Sequence, residues 1–394
     1  MPKNTRNHID DLRAASRLAV DATEKVTDVV EAMHTTIASG PGVLGAPLSK
    51  PMKLINGLVY GSIRGVTRLV GRGIERALEP LTPWLGESAP GPERDAVQAA
   101  LNGVLGDYLA ETGNPFAIQM RFRHEGQALT LEREALRTSF AQATGRVVVL
   151  VHGSSMSDLQ WLRLGHDHGR ELAALGFTPV YLHYNSGLHV SQNGTEFAAL
   201  LEQLVAAWPV KLESLTLLAH SMGGLVSRSA CHAGEGMAWR GVLKHLVTLG
   251  TPHHGAPLER GGNWVELLLG VSRYSAPLAR LARLRSAGVT DLRFGNLVSA
   301  DWEGKDRFAL EHDARVVVPL PAGVACFAVA GSTSAEGSKR PLGDGLVPVE
   351  SALGRHRDAA RVLAFAGESV FFGCNHLDLL SRREVFGQIA KWLA

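Results

Sequence analysis

The sequence predicts an α/β protein, a mostly parallel central sheet flanked by helices, with a helical N-terminal extension and a helical cap insertion. Three observations carry that prediction. Short, nearly uninterrupted apolar runs recur from about residue 147 onward, the pattern of strands buried on both faces. Helical patterns fill most of the intervals between them, which argues for strand–helix–strand crossovers. The first 90 or so residues instead carry apolar side chains at helical spacing, broken by Gly/Pro clusters.

A chain of 394 residues, 45% hydrophobic and 20% charged, buries one large core and still carries an appended segment. The formal net charge of +2 is small for this length, and basic residues are scattered among acids, so no nucleic-acid partner is expected. Cys231, Cys326 and Cys374 are odd in number and widely spaced, which fits reduced thiols better than a disulfide framework or a metal site. The opening residues run into Asp10, Asp11 and Arg13 without the apolar core of a secretory signal. No stretch reaches the roughly 18 uninterrupted apolar residues of a spanning helix. These features together predict a cytoplasmic protein.

In chain order, Ile9, Leu12, Leu18, Ala22, Val26, Val30, Met33 and Ile37 predict a long amphipathic helix over about residues 8–38. Gly40-Pro41-Gly42 and Gly45-Ala46-Pro47 end it, and a second helical pattern runs from Pro51 to Leu78. There an apolar stripe (Leu54, Leu58, Val66, Val70, Ile74, Leu78) accompanies glycines every four residues (Gly57, Gly61, Gly65) and a row of Arg64, Arg68, Arg72 and Arg76. Three readings stay open: a packing helix whose glycines admit a close neighbour, a peripheral helix on the inner face of a membrane, and a transmembrane dimer motif. Pro83, Pro90 and Pro92, with Gly86 and Gly91 around them, read as a linker, dividing the chain into an extension, 1–90, and a catalytic domain, 91–394. Beyond it, Phe116–Arg123 and Ala128–Glu132 predict a hairpin. Strands follow at Val147–Val151, Thr178–His183, Leu215–Ala219, Leu243–Leu249, Ala325–Ala330 and Val362–Ala366.

The chemistry concentrates where three of these strands end. Leu215-Thr216-Leu217-Leu218 runs into Ala219-His220-Ser221-Met222-Gly223-Gly224 and then a helix-like segment. A serine in such a strand–turn–helix elbow is strained and exposed above the sheet, and small neighbours let strand and helix pack closely. Ala219 stands where glycine is usual and is small enough for the turn. A serine hydroxyl needs an imidazole to take its proton and a carboxylate to fix the imidazole tautomer. Gly343-Asp344-Gly345 supplies the acid after one strand, and Gly373-Cys374-Asn375-His376 the histidine before the terminal helix. The order Ser221, Asp344, His376 is that of the elbow-type hydrolases. The tetrahedral intermediate also needs backbone donors. The amide of Met222 is one candidate, and Ser154, in Val151-His152-Gly153-Ser154-Ser155, is the other, with Ser155 as a substrate-side neighbour.

These residues resemble the α/β-hydrolase superfamily, and within it the lipases and GPI-inositol-deacylase-like esterases. The resemblance begins near Val147 and runs to the C-terminus. It is carried by Val151-His152-Gly153, Ala219-His220-Ser221-Met222-Gly223-Gly224, Leu249-Gly250-Thr251-Pro252-His253-His254-Gly255, Asp344-Gly345-Leu346-Val347-Pro348 and Asn375-His376. It implies an α/β-hydrolase fold, hydrolysis of a small-molecule or lipid carboxylic ester through an acyl-enzyme, and no organic cofactor. The first hundred residues are unlike those of a secreted lipase.

His253 and His254 have two readings, lining of an acyl pocket and hydrogen bonding within a tight turn. His152 and His220 are expected to support the turns beside them, and His189 to lie near the cleft mouth. His166, Asp167 and His168 invite a metal, but no second ligand cluster accompanies them, and no metal is expected. From Trp264 to about Val318 the chain is long for a crossover and rich in leucines, among them Leu268. It is expected to form a cap over an apolar pocket, against the alternative of a surface helical pair. Two functional alternatives remain, an acyltransferase or thioesterase using the same triad, and a membrane-associated binding protein on a hydrolase fold.

Overall fold

Val147–Val151, apolar at every position and mostly β-branched, is at most 1% exposed and lies at the centre of an eight-stranded sheet. The computed structural model describes residues 92–256, 286–305, 313–338 and 342–394. The helices expected over about residues 8–38 and Pro51–Leu78, the prolines Pro83 and Pro90, and cap residues Trp264 to Leu284, Leu268 included, lie outside the described residues.

The described elements are α1 (Pro92–Glu111), β1 (Arg121–His124), β2 (Gln127–Ala128), α2 (Arg133–Ser139), β3 (Arg146–Val151), α3 (His168–Ala173), β4 (Thr178–His183), α4 (Val190–Ala207), β5 (Ser214–His220), α5 (Met222–Ala233), α6 (Ala238–Val242), β6 (Leu243–Leu249), α7 (Ala287–Asp291), β7 (Ala325–Ser332), α8 (Val349–Ala352), β8 (Gly367–Phe372) and α9 (Arg383–Leu393). The sheet and the residues discussed below belong to the unit Gln98–Leu268 and Arg285–Ala394. Strand order is β2-β1-β4-β3-β5-β6-β7-β8. β1 is antiparallel to β2 and β4, and every pairing from β4 to β8 is parallel. The β1–β2 hairpin turns on Glu125 and Gly126, both at positive φ (49° and 76°), the backbone a two-residue hairpin turn needs.

From β3 the chain crosses to β4 on one side, then returns to place β5 on the other. The carboxyl ends of β3 and β5 therefore flank a topological switch point, where open α/β sheets form their crevice. Five of the eight strands, β3 to β7, were expected within two residues of their observed ends, and the hairpin expected at Phe116–Arg123 and Ala128–Glu132 is observed as the shorter β1 and β2. The strand expected at Val362–Ala366 is displaced. The observed strand is Gly367–Phe372, and the apolar run precedes it, joined to β7 through Ala366 N–H and Cys326 O at 2.8 Å. β8 has a neighbour on one side only and is partly exposed along its length, so its Gly-Glu-Ser-Val-Phe-Phe sequence never forms the apolar run of a buried strand. Helix α1 is a further addition and begins at Pro92, expected in the linker, whose missing N–H and fixed φ suit a first helical position; it is unmarked in sequence because it is buried almost all round from Ala99 to Gly106 and has no polar stripe. None of the described helices is long and apolar enough to cross a membrane.

Candidate active site

Ser221 joins β5 to α5 with φ 55° and ψ −126°, a conformation that costs a non-glycine residue on the order of 1–3 kcal/mol. Its surroundings impose it. A Cβ on Gly223 would lie 2.4 Å from Val151 O and 2.6 Å from His152 O, and one on Gly224 would lie 2.0 Å from Thr251 Oγ1. Only glycines let the start of α5 pass this closely between the ends of β3 and β6. Ala219 is fully buried in β5 and needs no smaller side chain. The Ser221 amide donates to Leu249 O at 2.8 Å, tying the elbow to the end of β6. Ser221 Oγ is buried and has no hydrogen-bond partner among the described residues.

The expected acid and base meet. His376 Nδ1 donates to Asp344 Oδ2 at 2.7 Å, and both side chains are 1% exposed. Asp344 Oδ1 accepts from the amides of Leu346 (2.9 Å) and Val347 (2.8 Å), and its carbonyl accepts from the His376 amide at 3.0 Å. The carboxylate is thus held at three points, and the imidazole tautomer follows from the Nδ1–H it must donate. Gly250, one residue past the carbonyl that receives the Ser221 amide, links the two halves. A Cβ there would lie 3.0 Å from Asp344 Oδ2 and 3.1 Å from His376 Nδ1.

The loop after β3 closes the other side. A Cβ on Gly153 would lie 3.0 Å from Ser221 Cβ, so this backbone rests on the elbow. Ser154 is fully buried. Ser155, at φ 57°, donates its amide to Ser186 Oγ at 2.9 Å, and its side chain faces Gly103 of α1, where a Cβ would lie 1.9 Å from Ser155 Oγ. Met222 is the first residue of α5, so its amide has no acceptor within the helix.

Several histidines beside these loops are engaged within the fold. His220 Nε2 donates to His376 O at 3.0 Å, and burial beside His376 holds its pKa well below the usual range, keeping it neutral. His152 Nδ1 donates to Gly153 O at 2.8 Å, and burial lowers its pKa to about 3. His253 has both ring nitrogens engaged, by Arg228 at 3.3 Å and by Thr248 Oγ1 at 3.3 Å, which fits its turn-holding reading. His189 caps α4, bonds Asp291 at 3.1 Å and stacks on Trp302 with ring centres 3.7 Å apart. His166 bonds His168 at 2.8 Å, His168 donates to Leu379 O at 2.9 Å, and Asp167 caps α3. No group of three or more His, Cys, Asp or Glu side chains suited to a metal ion occurs among the described residues.

Sequence reasoning placed the loop after β4 near the cleft mouth through His189 and gave no role to Asn185, Ser186 or Gly187. Asn185 reaches Gly106 O at 2.9 Å, and Gly187 packs so tightly on α1 that a Cβ would lie 2.1 Å from Asn102 O. Its Asn-Ser-Gly composition after a buried strand was the available signal.

Residues 142–319 match the PGAP1-like alpha/beta domain family. Similar solved structures include a lipase of Bacillus licheniformis in mature form, with 19% identity, 63% of this chain and 92% of that one covered, and a TM-score of 0.43. Lipase 1 of Pelosinus fermentans shows 13% identity, 64% and 98% coverage and a TM-score of 0.40. An esterase of a Rhodococcus species shows 16% identity, 64% and 92% coverage and a TM-score of 0.34. No curated protein matches the chain. The segment similar to the PGAP1-like alpha/beta domain thus holds β3 to β6 and the Ser221 elbow of a mostly parallel, eight-stranded α/β sheet.

Proposed function

We propose that the protein is a serine hydrolase of carboxylic esters. The observation that carries this reading is the buried Asp344–His376 pair, joined at 2.7 Å, at the same end of the sheet as the strained Ser221 elbow. Ser221 Oγ attacks the ester carbonyl. Asp344 holds His376 with its proton on Nδ1, so Nε2 accepts the serine proton and then delivers it to the departing alcohol. Water enters by the same route and releases the acid. The developing oxyanion is received by the amides of Met222 and Ser154. Ser154 is favoured over Ser155 because the Ser155 amide is already given to Ser186. Losing one such donor commonly costs about 100- to 1,000-fold in rate. Ser155 and Leu268 belong, in this reading, to the substrate side, Leu268 within the cap over about residues 264–318. The substrate is a small-molecule or lipid ester, and the N-terminal segment is the candidate for peripheral contact with a membrane.

The test is release of p-nitrophenol from esters of increasing acyl length by the full-length protein and by Ser221→Ala. Turnover by the wild type that disappears in the variant is the expected result. Turnover that survives the substitution removes Ser221 as nucleophile. No turnover of any ester, together with no labelling of Ser221 by a fluorophosphonate, counts against the hydrolase reading itself.

A further inference from the structure

Arg228 lies on α5, seven residues past Ser221, and is 4% exposed. One terminal nitrogen donates to Val318 O at 2.6 Å and the other contacts His253 Nδ1 at 3.3 Å, while Nε has no hydrogen-bond partner among the described residues. His253 offers no compensating charge. Facing a guanidinium, its Nδ1 must accept, its Nε2 then carries the proton toward Thr248 Oγ1, and the ring is neutral. Two further arginines stand nearby, but they are already served. Arg315 bonds Asp313 at 3.1 Å and the His253 carbonyl at 2.7 Å, and Arg361 bonds the same Asp313 at 3.2 Å. No carboxylate among the described residues bonds Arg228. A buried, uncompensated cation is costly, normally by several kcal/mol. An orphan donor of this kind in a native fold calls for a water or an ion.

Beside this guanidinium is a cavity of about 20 Å³, lined by Arg228, His253, His254, Arg315 and Arg361 with apolar walls such as Leu297. About 10–15 Å³ admits one water-sized particle, so the space has room for one monatomic ion. Val316 and Val317 at its rim are 47% and 48% exposed, which leaves a path to solvent. We infer that this cavity is a halide site, filled by chloride that Arg228 holds and that completes the charge balance of the nucleophile helix. Burial lowers the Arg228 pKa only to about 10, so the cation persists at neutral pH. By joining α5 to the loop after β6 and to residues 313–318, the ion stabilises the domain whatever substrate it turns over.

The experiment is thermal unfolding of the full-length protein at constant ionic strength, with sodium gluconate exchanged stepwise for sodium chloride or bromide. Tm is expected to rise and saturate with halide, as for a ligand that binds the folded state alone. Arg228→Met is expected to abolish the halide dependence. A crystal grown in bromide is expected to show an anomalous peak within hydrogen-bond distance of Arg228, a readout that survives if the variant fails to fold. Equal Tm in gluconate and chloride, or a cavity holding only water in bromide, overturns the inference. So does a bromide peak without any halide effect on Tm, which marks an adventitious ion only.

Discussion

Gly223→Ala tests most directly how the fold places the proposed nucleophile. The added Cβ would meet two backbone oxygens, Val151 O at 2.4 Å and His152 O at 2.6 Å. Neither belongs to a side chain that can swing aside. Restoring an ordinary contact of 3.4 Å to Val151 O requires the start of α5 to withdraw from β3 by about 1.0 Å. Overpacking of this kind costs about 1–3 kcal/mol, which for a domain of this size lowers Tm by about 2–4 °C per kcal/mol. The same displacement moves Ser221 Oγ and the Met222 amide away from the carbonyl they serve, and a misplacement of about 1 Å commonly costs on the order of 100-fold in rate. The assay pairs kcat on a p-nitrophenyl ester with a thermal melt. Gly241→Ala is the control, because a Cβ there meets nothing within 4 Å and the residue is exposed on α6. Wild-type kcat and Tm in Gly223→Ala would show that α5 does not depend on its close approach to β3, and the account of the elbow would fall.

Three other outcomes are expected. In Asp344→Asn the side-chain oxygen is retained by the amides of Leu346 and Val347, which turns the NH2 toward His376 Nδ1 and forces the proton to Nε2. A loss of kcat on the order of 10⁴-fold with a nearly unchanged melt is predicted, and a loss below about tenfold contradicts the proposed role of the pair. Ser221→Gly relieves a backbone at φ 55°; it should raise Tm by an amount equivalent to about 1 kcal/mol while eliminating turnover, and a lower Tm speaks against strain at the elbow. His152 and His168, lowered by burial to about 3 and about 4, are neutral in the folded protein and titrate near 6.5 when unfolded. The unfolded chain therefore binds more protons between pH 6.5 and 4, so their stabilisation is complete above that window and is lost as pH falls through it, at about 1 kcal/mol per pH unit for each. Urea midpoints that stay flat from pH 7 to pH 4.5 would exclude this.

Legibility in the sequence followed burial. β3 to β7 are covered on both faces, so their apolar runs could be read nearly to the residue, whereas the edge strand β8 could not. Ser221, Asp344 and His376 were singled out because each sits in a loop whose small residues mark a strand end, and chain order alone arranged them. The supports of that arrangement were invisible. The Gly250 contact, the grip of two amides on Asp344 Oδ1 and the bond from His220 to the His376 carbonyl join residues more than a hundred positions apart or act through the backbone, which carries no side-chain signature. His253 shows the same limit from the other side: its place in a loop after β6 allowed a pocket or a structural role, and its partners, Arg228 and Thr248, carry no signal in the local sequence.

By itself, then, the sequence determined the α/β architecture, through the periodicity of apolar residues, and the identity and order of the candidate catalytic groups, through the turn chemistry around them. Tertiary structure alone decided that strand order reverses between β3 and β5, so that these loops converge. It also decided that only glycine fits at positions 223 and 224, and that Arg228 is buried without a carboxylate partner among the described residues. The physical reason is that local pattern encodes which face of an element leaves water, whereas the distance between two loops depends on how distant segments pack.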